Sequence, residues 1–388
     1  MLRRGCQAAP GFLVGCLLLV LALPAFSSGR TPFVVPDEFG PFAVGRVTLF
    51  LEDPARDDRP VPVDIWYPVD AEDAVAPLSL YLLLGFAIVS DHALSGPPVA
   101  EAGGFPLVVF SHGSGGIRFQ SFFLTEILAS HGFVVAAPDH LGNTLLEGLI
   151  GIADPFEEAF VNRIGDVSFL IDRMLEKSAD PTDPFHGSVD PRRIGVTGHS
   201  FGGLTSLALA AGFSGEAPDG IELELPPDFE PIPPDRRVRA IVPIAPVSSV
   251  FSDSELAGIQ VPTMIIGGSL DTTTPIDSQS TRPFELIHGR AFLAELQGAV
   301  HFSFSNSCDL VQVLVDGGFS LEFIEGLIGS DFIAPCGADV LDIAEAHRLT
   351  SLYAVAHLRR HLMRAGRYEF FLGNRYSRIF EPDVIFSR

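Results

Sequence analysis

The chain has 388 residues, of which 47% are apolar and 19% charged, a balance that permits a large buried core and excludes intrinsic disorder. Its formal net charge of −23 repels nucleic acids and anionic membrane surfaces, and so argues against both as partners.

Taken in chain order, the first feature is a targeting pattern. Arg3 and Arg4 precede an apolar run over residues 12–23, and the small residues Ala25, Ser27 and Ser28 follow. A positive start, a short apolar middle and a small-residue end describe a secretory signal peptide over residues 1–28, hence a secreted or periplasmic protein. The run is shorter than the roughly 20 residues that a spanning helix needs, and no later segment qualifies, so the mature chain is expected to carry no transmembrane segment. Leu13-Val14-Gly15-Cys16 has the look of a lipoprotein box, but it sits inside the apolar run, which disfavours an anchor at Cys16. With Cys6 and Cys16 removed, Cys308 and Cys336 remain. An even pair in an exported chain favours a disulfide, which would close a loop of about 28 residues and contribute roughly 2–4 kcal/mol. Two separate buried thiols are the alternative.

The catalytic domain is expected over residues 44–366. Runs at 47–52 and 61–67 read as an antiparallel hairpin. Residues 107–111 and 133–138 are continuous apolar runs, as in strands buried on both faces. Helical sequence lies between them, at 120–130. After Asp154-Pro155, the residues Phe160, Ile164, Val167, Ile171 and Met174 recur at three- and four-residue spacing and form one apolar helix stripe. Further strands are predicted at 194–197, 240–244, 263–266 and 292–296, and a final helix at 341–363. Strands alternating with helices imply an α/β fold with a mostly parallel sheet covered on both faces. Segments 78–105, 213–237 and 302–337 read as lid-like insertions, and 367–388 as a C-terminal tail.

The strongest chemical pattern is Gly198-His199-Ser200-Phe201-Gly202-Gly203, placed between a strand and a helix-like run. Such a turn is too tight for side chains at Gly198 and Gly202, and it projects the Ser200 hydroxyl above the sheet. A serine needs a base to take its proton, and the base needs an orienting acid. In strand–turn–helix enzymes of this kind the order is serine, acid, histidine. Asp271 follows the strand at 263–266, and His301 follows the strand at 292–296. Asp253 is the rival acid. His288 falls before the last strand, while His347 and His357 sit in the final helix. An oxyanion needs two N–H donors. The Phe201 amide supplies one, and the turn His112-Gly113-Ser114-Gly115-Gly116 places the Ser114 amide as the other. No metal-ligand cluster or phosphate loop is present in the sequence, so no cofactor is expected.

Three stretches carry a family resemblance: Val63-Asp64-Ile65-Trp66-Tyr67-Pro68, the segment 110–144 with Ser-His-Gly-Ser-Gly-Gly and Ala-Ala-Pro-Asp-His, and the turn at 198–203. Over about residues 44–366 the chain resembles the bacterial dienelactone-hydrolase-like enzymes related to platelet-activating-factor acetylhydrolase. The resemblance implies the α/β-hydrolase fold and a cofactor-free serine esterase or lipase acting on short or oxidised acyl esters. The chain departs from the eukaryotic acetylhydrolases at one point. They look to hold the acid after the strand following the nucleophile helix, where this sequence reads Pro243-Ile244-Ala245-Pro246-Val247-Ser248. Asp271, one strand later, matches polyester hydrolases similar to cutinase. Polyester, dienelactone-type and small-ester hydrolysis therefore stand beside the lipase reading. An amidase using the same triad, or a non-catalytic binding protein on the same fold, is also compatible with the sequence.

Overall fold

The β-branched and apolar runs form eleven strands among the described residues: β1 (Ala43–Asp53), β2 (Arg59–Val69), β3 (Leu78–Leu83), β4 (Phe86–Ser95), β5 (Phe105–Ser111), β6 (Val134–Pro138), β7 (Val189–His199), β8 (Val238–Ile244), β9 (Thr263–Gly268), β10 (Ala291–Leu296) and β11 (Val384–Ser387). The computed structural model describes residues 33–388 except 217, 219 and 226–228. The expected signal peptide, with Cys6 and Cys16, lies outside them.

All eleven strands join one sheet in the order β11-β10-β9-β8-β7-β5-β6-β2-β1-β4-β3. Strands β5 to β10 are mutually parallel, while β2 runs antiparallel to both β6 and β1. Every residue of β5, β6 and β9 is buried, which is why those strands read as unbroken apolar runs. The chain runs from β5 to β6 on one side and then back to β7 on the other. Between the carboxyl ends of β5 and β7 the strand order therefore reverses, and in open α/β sheets that crevice is where ligands bind.

Eleven α-helices are present among the described residues: α1 (Phe122–Ser130), α2 (Leu145–Ile150), α3 (Phe156–Ala179), α4 (Phe201–Ala211), α5 (Asp253–Ala257), α6 (Arg282–Leu286), α7 (Ser307–Asp316), α8 (Leu321–Ile328), α9 (Ser330–Ile333), α10 (Ile343–Leu362) and α11 (Asn374–Phe380). Each face of the sheet buries its own core. Leu124 and Leu128 of α1 pack with Leu352 and Val355 of α10 on one face. Ile164 and Leu170 of α3 pack with Leu204 and Leu207 of α4 on the other. This two-faced parallel architecture is the α/β-hydrolase fold.

Two segments differ from the sequence reading. Residues 78–95, expected as part of an insertion, are strands β3 and β4, paired antiparallel across a two-residue turn with Leu84 at φ +49° and Gly85 at φ +90°. Positive φ at both turn residues matches the twist of a hairpin. In β3 the side chains of Leu78, Leu80 and Leu82 face outward while Ser79, Tyr81 and Leu83 face inward, so a run apolar on both faces hid the alternation. Residues 367–388, expected as a tail, carry α11 and then β11, which lies antiparallel to β10 at the sheet edge.

The segment 302–337 forms α7, α8 and α9 over the carboxyl edge of the sheet, and Cys308 and Cys336 are disulfide-bonded with Cα atoms 5.5 Å apart. No helix among the described residues is long and apolar enough to cross a membrane.

Candidate active site

At the end of β7 the backbone makes a turn that only a specific set of residues can adopt. Ser200 has φ +56°, a left-handed conformation that costs an L-residue roughly 1–3 kcal/mol. Its amide donates to the Ile244 carbonyl (2.8 Å) and its carbonyl accepts from Leu204 (3.0 Å), so both neighbours hold the turn in place. A Cβ on Gly202 would lie 1.8 Å from the Ser111 carbonyl oxygen, and one on Gly198 would lie 2.5 Å from the Gly202 backbone. Helix α4 then begins at Phe201, whose amide is among the first-turn N–H groups that have no partner inside the helix.

Asp271 follows β9 and is 5% exposed; His301 follows β10 and is 4% exposed. The His301 Nδ1 lies 2.7 Å from Asp271 Oδ2. The other carboxylate oxygen accepts the Thr273 and Thr274 amides at 2.9 and 2.8 Å, and the Thr274 hydroxyl donates to Oδ2 at 2.7 Å. Burial pushes the Asp271 carboxyl up, but the hydrogen bonds from His301 and Thr274 outweigh it and hold the group below its ordinary range. An ionised carboxylate only accepts, so His301 Nδ1 carries the proton and its Nε2 is left with a lone pair. The rivals lie elsewhere. Asp253 is an exposed partner of Arg282, His347 stacks on Phe123, and His357 is buried under β9 against the Pro262 carbonyl.

Between these groups lies a chain of hydrogen bonds that sequence reasoning missed. The His199 Nε2 donates to the His301 carbonyl (2.9 Å), the Gln120 amide nitrogen lies 2.8 Å from His199 Nδ1, and Gln120 Oε1 accepts the Gly113 amide at 2.9 Å. Burial, reinforced by nearby His301, pulls His199 down to about 3, so it stays neutral. The loop after β5 is thereby tied to the loop that carries His301. Gln120 has no sequence signature. Thr274 does have one, because an Asp followed by threonines in Asp271-Thr272-Thr273-Thr274 is the pattern of an aspartate that accepts amides two and three residues on.

Ser114 is exposed beside the crevice, and no acceptor among the described residues takes its amide hydrogen. It lines a cavity of about 350 Å³ together with Ile117, Leu145, Leu149, Phe302, Leu327 and Phe332. One wall thus comes from α2 and another from the disulfide-bridged helices. Among the described residues, no three His, Cys, Asp or Glu side chains gather as a metal site would require.

Comparison with known proteins points the same way. A family model described as platelet-activating factor acetylhydrolase, isoform II, matches residues 78–146, the stretch from β3 through the Ser114 turn to the start of α2. The chain is 30% identical over 201 residues to Cutinase est1 of Thermobifida alba, covering 50% of this chain and 53% of that protein. It is 28% identical over 143 residues to the platelet-activating factor acetylhydrolase of Bos taurus, covering 26% and 31%. The chain has the α/β-hydrolase fold and, over these matched stretches, is similar to the platelet-activating factor acetylhydrolases and cutinases. A second cutinase, Cutinase 2 of Thermobifida cellulosilytica, is 30% identical over 200 residues, covering 50% and 60%. The chain spans about half the length of the curated relatives it matches. Within this family-like frame the matched stretch contains Ser114 but neither Ser200 nor His301.

Proposed function

We propose that the protein is an exported serine hydrolase that cleaves carboxylic esters through an acyl-enzyme. The observation that carries this reading is a serine on a strained strand-to-helix turn at the same sheet edge as a buried, carboxylate-held histidine. The Ser200 Oγ attacks the ester carbonyl as its proton passes to His301 Nε2. The tetrahedral oxyanion is held by the Phe201 and Ser114 amides, each such donor being worth about 3–4 kcal/mol. Collapse breaks the ester C–O bond, and the departing alcohol takes the proton from His301. Water, deprotonated by His301, then attacks the acyl-enzyme and releases the acid and free Ser200.

The cavity beside Ser114 is lined mainly by leucine, isoleucine and phenylalanine, which suits an apolar acyl or aromatic group rather than a charged one. The cutinase names of the relatives favour a second substrate class, a polyester. No nucleic acid partner is part of the reading, given the net charge. The test is hydrolysis of p-nitrophenyl esters from acetate to palmitate by the wild type and Ser200→Ala. Turnover in the wild type that falls to background in Ser200→Ala is expected. Equal turnover by the two proteins would end the assignment.

A further inference from the structure

Arg163, on α3, is completely buried and makes no ion pair among the described residues. Leaving a guanidinium in the interior without a carboxylate is costly unless its donors are met. Here the guanidinium is met by the end of β5 and the loop that follows it, together with Asn143 in the loop after β6. Its Nη1 donates to the His112 carbonyl at 2.6 Å and reaches the Ser111 hydroxyl at 3.3 Å. Its Nη2 donates to the Gly113 carbonyl at 2.8 Å and to Asn143 Oδ1 at 2.6 Å, and Nε reaches the same Asn143 oxygen at 3.2 Å. The same Gly113 oxygen also accepts from His112 Nδ1 at 2.7 Å and from the Gly116 amide at 3.1 Å. His112 is free to donate there because its Nε2 accepts the His140 amide at 3.1 Å. Three donors therefore converge on one carbonyl.

A trans peptide is planar, and its N–H points opposite to its C=O. Locking the Gly113 carbonyl inward thus turns the Ser114 N–H outward, away from the guanidinium. The other face of Arg163 lies 4.4 Å from the centre of the Phe201 ring, the residue whose amide faces the same reaction. Resting on the hydrolase reading above, we propose that Arg163 is a positioning residue that sets both oxyanion donors, holding the Ser114 amide through the Gly113 carbonyl and the start of α4 through the Phe201 ring. Burial pulls the guanidinium down to about 9, so it remains charged at neutral pH and its hydrogen bonds keep their ionic strength.

The test compares wild type, Arg163→Met and Arg163→Lys. Methionine keeps much of the buried volume but none of the donors. Losing an oxyanion donor outright costs about 10²–10³ in kcat; a donor left in place but loosely aimed should cost on the order of tenfold to a hundredfold. The expectation is that kcat falls by that factor in Arg163→Met while KM changes by less than about twofold. Affinity for phenylboronic acid, which forms a tetrahedral adduct with a nucleophilic serine, falls in parallel. Arg163→Lys, which retains the charge but only a single donating nitrogen, is expected between the two. Counting active sites with a fluorophosphonate normalises every rate to the folded fraction, so a poorly folding variant still gives a value. A per-site kcat within twofold of wild type overturns the inference, as does a fall in kcat with undiminished boronate affinity. If the fluorophosphonate fails to label Ser200 in the wild type, the hydrolase reading itself falls, a result separate from any behaviour of the Arg163 variants.

Discussion

Replacing Cys308 and Cys336 together by serine opens a loop that spans 28 positions. Chain-entropy reasoning puts the restriction this bridge imposes on the unfolded chain at about 12 cal/mol/K, or about 3.6 kcal/mol at 25 °C. A unit of roughly 350 residues unfolds with about 0.7 kcal/mol/K of entropy, so the midpoint should drop by about 5 °C. The loss has a second, local consequence. The bridge joins the first turn of α7 to the turn after α9, and between its ends lie Leu327, Ile328 and Phe332, which wall the cavity. With the bridge gone, KM for long-chain p-nitrophenyl esters should rise several-fold while turnover of the acetate, which needs little of that wall, stays near wild type. Scanning calorimetry and the ester series, each with and without reductant, measure both effects. A midpoint shift below about 1 °C together with an unchanged chain-length profile would mean that the helices are held by their own packing and that the cross-link argument is wrong.

Asp271→Asn should lower kcat by about 10⁴ with little change in KM, because His301 loses the acceptor that selects its tautomer; steady-state kinetics decides this. Gly202→Ala should give inactive, poorly folded protein, since its Cβ would sit 1.8 Å from the Ser111 carbonyl oxygen; normal activity in this variant would refute the close crossing. Glu126 is buried among Tyr81 and Ser90, and burial raises it from 4.5 to about 7. A carboxyl whose folded value is raised binds a proton that the unfolded chain has lost. Its stability contribution is therefore full below about pH 4.5 and falls by about 1.4 kcal/mol per pH unit up to about pH 7. Glu126→Gln should flatten this slope in urea titrations between pH 4.5 and 7.5, and an equally steep slope in the variant would refute the assignment.

The parallel core was legible because burial on both faces writes itself as an unbroken apolar run, as in β5, and because a helix against a sheet shows a stripe, as in α3. The placement of the candidate residues was legible for a related reason: a tight turn demands glycines at fixed spacing, and residues beyond strand ends fall at one edge of the sheet. The hairpin β3–β4 was not legible, because outward-facing Leu78, Leu80 and Leu82 erase the alternation that marks a half-buried strand. Nor was β11, a four-residue edge strand whose place depends on pairing with β10 nearly ninety residues earlier. Arg163 had left a trace. It falls three residues after Phe160 and four before Val167, on the buried stripe of α3, and a charged residue on such a stripe must meet polar partners in the interior. Gln120 left none, because its value lies in connecting three loops that are distant in sequence.

If Ser200 is the nucleophile proposed above, its positive φ sets activity and durability against each other at a single residue. A glycine in its place would take up the same backbone at little steric cost, so Ser200→Gly, though inert, should outlast the working enzyme on heating. Any programme that ranks variants of this protein by thermal robustness alone would therefore be drawn towards discarding the proposed nucleophile, and selection for endurance must carry a turnover screen beside it.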